Sequence, residues 1–286
     1  MCRMSALAAT ALALVLAAGQ PAQAWPGRAK AKASEPAPAP AAAASTSGAT
    51  ASAAAVPRAP ATAEQRAVVQ RLDPLARAAF WAREAEIAPG DVAAGVGLSQ
   101  ALRAMGKHQE AATAAERVLS VNPDAVDALL ELARARIGAA QGFYAIDPAR
   151  RAQALAPRDW RPVSLLAVAY EQAERPDEAL AAHRQAVALA PDNPAALCNL
   201  AMFLAGHGDP AEAERLLRTA AARPNAPIQV RQNLALMLGL QGRLDEAEAL
   251  ARKDLPPSMV ANNMAYLRAA ATPGNERSWQ SMREAP

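Results

Sequence analysis

From Val92 onward the apolar and polar positions of the chain recur in a frame of 34 residues, with frames starting at Val92, Val126, Trp160, Pro194 and Ile228. Frame position 7 is always leucine: Leu98, Leu132, Leu166, Leu200 and Leu234. Position 8 is always small (Ser99, Ala133, Ala167, Ala201, Ala235), and position 20 is always alanine (Ala111, Ala145, Ala179, Ala213, Ala247). Position 19 is glutamate in every frame but the second, and position 32 is Pro123, Pro157 and Pro191 in the first three. Alanine-rich composition alone does not hold such columns in register. The phrase that carries them is plain in GDPAEAERL at 208–216 and GRLDEAEAL at 242–250.

The columns predict two helices per frame, A and B, joined by a turn near position 15, where Gly106, Gly208 and Gly242 fall. Small residues at positions 8 and 20 suit the point where the two helices cross most closely. Leucine at position 7 and the aliphatic Leu119, Val187 and Leu255 near position 28 suit the seam between them. Proline at position 32 cannot continue helix B and so ends it. Asp209, Pro210 and Glu212 read as N-cap, N1 and N3 of the fourth frame's helix B. A 34-residue helix-turn-helix period with these columns resembles the tetratricopeptide repeat. The fold class expected is therefore all-α, a solenoid of helical hairpins over residues 92–255.

Two departures from the frame shape the expected ends and middle. In frame 126–159, Asp147-Pro148 falls inside the expected helix B. That predicts an extended GAAQGFYAID connection and a late start near Pro148, making the match of Ala145 accidental. Residues 62–91 keep Pro89 at position 32 but lose the other columns. They read as a degenerate capping unit whose Phe80 and Trp81 cover the open end of the stack. Residues 256–286 read as a capping helix and tail, with Met264, Tyr266 and Leu267 available for packing. A solenoid needs such ends because each repeat buries its face only against its neighbours.

Ahead of the repeats, MCRMSALAATALALVLAAGQPAQAW has a basic start at Arg3, an apolar run from Ala6 to Ala18 and an Ala22-Gln23-Ala24 cleavage motif. Residues 1–24 thus read as an export signal, since the apolar run is shorter than the roughly 20 residues of a spanning helix. The periplasm is the expected location, with outer-membrane association open. Gln20 stands where a lipid-accepting cysteine would follow the apolar run. Residues 25–61 form a Pro/Ala/Ser tract too poor in large apolar side chains to build a core, and read as a tether.

Charge counting separates the tether from the rest. The chain has 30 Lys and Arg against 27 Asp and Glu, but five of the bases and only Glu35 of the acids precede residue 61. The repeats therefore carry about one net negative charge, and nucleic acid is not an expected partner. Membrane contact is expected only indirectly or through the basic tether.

No catalytic, cofactor or metal chemistry emerges. His108, His183 and His207 share no frame position or ligand spacing, and surface or turn placement explains them. There is no Gly-rich phosphate loop or nucleophile elbow, and no small-molecule substrate is expected. With the leader removed Cys198 is the only thiol, so no intramolecular disulfide is available. Asn199 and Asn233 share position 6, as the paired asparagines of carboxylate-clamp repeats do. The flanking bases such a clamp requires are missing, which favours a structural role.

What remains is a surface. In this architecture helix A lines the concave face through positions 2, 5, 9, 12 and 13. The partner-binding candidates are Leu130, Arg134 and Ile137 of the second frame and Arg161, Ser164, Val168 and Glu171 of the third. Cys198 and Met202 of the fourth, with Gln229, Gln232 and Leu236 of the fifth, complete the set. A groove mixed at its middle and apolar toward the C-terminal end suits a protein segment with apolar anchors.

Three stretches narrow the reading: DPLARAAFWAREAEIAPGD, VRQNLALMLGLQGRLDEAEALARKDLPP and MVANNMAYLRAA. Together they resemble the TadD-type tetratricopeptide proteins of tight-adherence (Flp) pilus systems, over roughly residues 70 to 270. The resemblance implies a non-enzymatic, periplasm-facing factor that helps assemble the pilus machine or its outer-membrane secretin. That family usually carries a lipid, and this chain departs from it in lacking the accepting cysteine. The alternative is a general periplasmic scaffold for cell-wall or envelope-biogenesis enzymes.

Overall fold

The computed structural model of the chain describes residues 59–271. The leader, all but the last residues of the tether and the tail beyond Ala271 lie outside the described residues. Those described form thirteen helices and no strand. None of the helices is long and apolar enough to cross a membrane.

The frame appears in the backbone residue for residue. The five A helices are α3 (Val92–Ala104), α5 (Val126–Gly138), α7 (Trp160–Gln172), α9 (Pro194–Gly206) and α11 (Ile228–Leu240), each covering frame positions 1 to 13. The B helices are α4 (His108–Val121), α6 (Gly142–Leu155), α8 (Pro176–Leu189), α10 (Pro210–Ala221) and α12 (Leu244–Ala251), each starting at position 17. Ahead of them stand α1 (Ala63–Val69) and α2 (Pro74–Ile87), and α13 (Pro257–Ala271) follows. The alanines of position 20 are fully buried, as are the small residues of position 8 apart from slight exposure of Ala235. That is the close crossing the columns predict.

Every hairpin turns in the same way. Position 15 is left-handed in all five frames, at Gly106, Ala140, Glu174, Gly208 and Gly242. The following N–H then reaches back to the carbonyl of position 11, in Lys107 to Leu102, Gln141 to Arg136, Arg175 to Tyr170, Asp209 to Leu204 and Arg243 to Leu238, at 2.8 to 3.0 Å. This is the Schellman closure, which satisfies a carbonyl left over at the helix end. Only glycine adopts the required φ without strain, so Ala140 and Glu174 hold theirs at a cost of about 1 kcal/mol each.

Helix α6 corrects an expectation. It starts on schedule at Gly142 and runs through Pro148, with Ala145 fully buried in the position-20 column. Packing overrides the proline. Gly142 sits so close to α7 that a Cβ there would lie 2.4 Å from Gln172 Cβ and 2.8 Å from the Ala169 carbonyl oxygen. A late start would abandon that contact, which outweighs the ladder bond lost and the ring clash at Pro148 in the helix interior.

The ends are closed by apolar side chains. Trp81 is buried between α2 and α3, its ring filling the place where a Gly97 Cβ would stand. Phe80 meets it edge-on, and the Arg66 guanidinium lies 5.8 Å from its ring. Arg66 also bridges the buried Glu84 and the α3 N-cap Asp91, tying α1 to the stack. At the other end Val260, Met264 and Leu267 of α13 are buried, and Leu267 packs over Gly239 of α11. Tyr266 is over a third exposed.

The candidate partner-binding groove

Curvature follows from which helices touch. Each A helix packs on the A helix of the next repeat, whereas no two neighbouring B helices pack to a comparable extent. The A helices are therefore on the inside of the bend, and their free faces make a concave surface. Side-chain bonds between consecutive A helices hold it. Asn199 donates to Ser164 Oγ at 3.0 Å, Asn233 to Cys198 Sγ at 3.3 Å, and Gln172 to the Ile137 carbonyl at 3.0 Å.

These bonds revise the predicted lining. Leu130, Ser164 and Cys198, all at position 5, are buried. The column faces the neighbouring A helix, and the position-6 asparagine of the following repeat closes over Ser164 and over Cys198. Periodicity identifies the face of a helix but not how deeply the next helix covers it. Burial pushes the Cys198 thiol above its ordinary pKa, against the opposing effect of the Asn233 hydrogen bond. Cys198 is thus a packed thiol, and Asn199 and Asn233 are ties between repeats.

The other candidates are reachable from the concave side. Arg134, Val168, Met202 and Leu236 are half-buried in one line at position 9, with Ile137 and Gln232 beside them. Arg161, Glu171 and Gln229 are exposed. Glu171 is also engaged inward, accepting from His183 at 2.6 Å. His183 is buried against Phe203, not placed at a surface or turn as expected. It occupies position 24, a core column whose other members are Ala115, Ala149, Leu217 and Ala251, and that column was available in the sequence.

Three further groove residues escaped the sequence reading. Arg103, at position 12 of the first frame, extends the lining by one repeat. Glu131, at the position where the fourth and fifth frames carry asparagine, is 1% exposed and lies beneath both Arg103 and Arg134. Asp159, the α7 N-cap, accepts from the Arg161 N–H and guanidinium. Burial alone would raise the Asp159 pKa; the bonds from Arg161 and the nearby Arg134 outweigh it and hold the carboxyl below its ordinary value. Among the described residues no three His, Cys, Asp or Glu side chains are grouped as a metal site would require.

A curved stack of helical hairpins with a continuous inner face defines a helical-repeat solenoid. Its repeats are tetratricopeptide repeats, for that family matches residues 96–142, 170–237 and 228–255. Proteins of this kind are protein-interaction scaffolds. Comparison with curated proteins returns no match. Among solved structures the chain is similar to a thermophilic tetratricopeptide protein of Thermus thermophilus, at 25% identity and a TM-score of 0.54, covering 61% of this chain and 97% of that one. It is also similar in fold to pilF of Pseudomonas aeruginosa, at 14% identity and a TM-score of 0.51, covering 71% of this chain and 92% of that one.

Proposed function

We propose that this chain is a non-enzymatic protein-binding scaffold of the periplasm that assists assembly of a tight-adherence pilus or its outer-membrane secretin. The observation that carries the binding role is the accessible position-9 line, Arg134, Val168, Met202 and Leu236, on the inner face of a rigidly tied stack. A groove of this shape takes a single extended or helical protein segment, with Met202 and Leu236 as apolar walls. The export-signal character of residues 1–24 supports the periplasmic part of the reading. The three stretches that resemble the pilus family support the assembly part. They form α2 with its flanks, α11 with α12, and α13, which makes them the two ends of the stack together with its last hairpin.

Affinity capture from envelope extracts with the tagged chain, read by mass spectrometry, tests the proposal. Recovery of a secretin or another pilus-machine subunit by the native chain, and its loss with Met202→Glu, is the expected result. Capture dominated by cell-wall hydrolases or synthases would replace the pilus role with that of a general envelope scaffold. Equal capture by Met202→Glu would remove the groove from the account.

A further inference from the structure

The inner face is electrostatically graded along its length, and the grading specifies the chemistry of its occupant. Over the first three A helices it presents guanidinium groups. Arg103, Arg134 and Arg161 come from successive repeats, with side chains 36%, 29% and 44% exposed. Two of the carboxylates that balance them lie underneath. Glu131 is 1% exposed and gives one oxygen to Arg103 Nε at 3.2 Å and the other to Arg134 Nη1. Asp159 is largely covered and accepts from Arg161 Nη2 at 2.7 Å. Two carboxylates there are exposed: Asp127, 3.6 Å from Arg161 at the rim, and Glu171 of α7, one oxygen of which is bound inward by His183. A guanidinium has five N–H donors in a planar fork. The bond to Glu131 occupies the Nε of Arg103 and one terminal nitrogen of Arg134, leaving the rest of each fork toward the groove.

Over the next two A helices the position-9 line turns apolar, and Gln229 and Gln232 beside it on α11 are neutral. Its floor is Met202 and Leu236, with the small Ala195 at position 2 of α9. The buried position-12 residues Ala205 and Gly239 add no charge. The two halves meet at Val168 of α7.

We infer that the groove binds a protein segment with an acidic block at one end and an aliphatic block at the other, the acidic block lying across α3, α5 and α7. This rests on the groove reading above and deepens it. Carboxylates of the segment receive charge-assisted, fork-matched hydrogen bonds from the arginines. Its aliphatic side chains leave water against Met202 and Leu236. A segment docked the other way round would set carboxylates on Met202 and aliphatic groups on guanidinium, so the grading also fixes direction. Glu131 acts as a positioning residue, since it fixes the two arginines side by side from below and lets no charge of its own face the ligand.

A phage-displayed random dodecapeptide library selected on the immobilised full chain tests this. The expected result is enrichment of peptides with Asp or Glu clustered at one end and Leu, Ile, Val or Met at the other, in one N-to-C direction. Enriched peptides, resynthesised with a fluorophore, lose at least tenfold in affinity with Arg161→Glu and also weaken between 50 and 500 mM salt. Arg161 is the informative substitution because it is the most exposed of the three and pairs with the carboxylates of Asp159 and Asp127, not with the deeply buried Glu131, and a melting curve like that of the native chain checks the fold. Enrichment of aliphatic peptides without acidic residues, sensitive to Met202→Glu and indifferent to Arg161→Glu, would overturn the inference and leave the groove standing. Peptides insensitive to both substitutions, or no enrichment, would overturn both.

Discussion

At Gly142 helix α6 lies directly against the backbone of α7, and Gly142→Ala measures what that approach is worth. In an open helix the change gains up to about 1 kcal/mol, and less at the first helical position, where the backbone is only half committed. Here the new methyl would stand 2.4 Å from Gln172 Cβ and 2.8 Å from the carbonyl oxygen of Ala169. Carbon atoms in contact sit about 3.5–4.0 Å apart, so α6 and α7 must separate by roughly 1 Å. Both obstacles belong to the rigid start of a side chain and to the backbone, so neither can swing aside. Inserting a methyl into a packed crossing costs about 1–3 kcal/mol. Gln172 is also the residue that holds the Ile137 carbonyl, so pushing it loosens the tie between α5 and α7. A net loss of about 1–2 kcal/mol corresponds to a fall in Tm of roughly 2–8 °C for a chain of this size. Circular dichroism at 222 nm during heating, with urea titration at 25 °C, reads it. Gly142→Val should deepen the loss. An unchanged or raised midpoint for both variants would show that α6 does not cross α7 at this distance, and the packing argument for Pro148 would fall with it.

Glu174→Gly relieves a left-handed residue on the surface and should raise stability by about 0.5–1 kcal/mol in urea unfolding, whereas Gly208→Ala should lower it by a similar amount. Trp81→Ala removes the aromatic lid over Gly97 and should cost about 3 kcal/mol, seen as early loss of the N-terminal helices in hydrogen exchange while α9 to α11 stay protected. Asp254 pairs with Arg231 through two 2.7 Å bonds, and this holds its carboxyl below the ordinary value against the opposing effect of burial. Its contribution, about 1 kcal/mol for a partly exposed pair, is present above the unfolded-state carboxylate pKa and is lost as pH falls through the lower folded value. Asp254→Asn should therefore be less stable than the native chain at pH 7 and equal to it near pH 2; a difference that persists at low pH would show that the pair is not its source.

How much of this was legible in the residues depends on whether a column or a neighbour decides the matter. Leu at position 7, alanine at position 20 and the glycines of position 15 report local needs that repeat in every hairpin, and they place all ten repeat helices. Pro148 misled because a local preference was weighed alone. The contact that overrides it comes from Gln172 in the next repeat, and nothing near Pro148 announces it. Position 5 misled in the opposite way. Leu130, Ser164 and Cys198 do point from the correct face of their helices, but the curvature of the stack brings the next A helix over them, and curvature has no single-residue signature. The left-handed turns at Ala140 and Glu174 were equally invisible, because there the repeat geometry prevails over a residue that does not favour it. Arg103 and Glu131, by contrast, could have been found by reading the inner-face columns back into the first frame and treating an acid at position 6 as an exception to explain.

The second repeat gathers several of these concessions. Ala140 turns it against its steric preference, Pro148 withholds an N–H from the carbonyl of Tyr144, and neither of its helices has a side-chain N-cap. In a quasi-linear array the chance of opening is set by each unit and its two seams. The second repeat is held broadly at both of its seams, by α3 and α4 against α5 and by α5 and α6 against α7, whereas α9 meets α7 and α8 far more sparingly. The concessions of the second repeat are thus carried by its neighbours, and the thin seam falls where α9 joins the stack. An opening there parts Val168 from Met202 and divides the guanidinium end of the groove from its aliphatic end, so a segment lying across both must let go of one of them first.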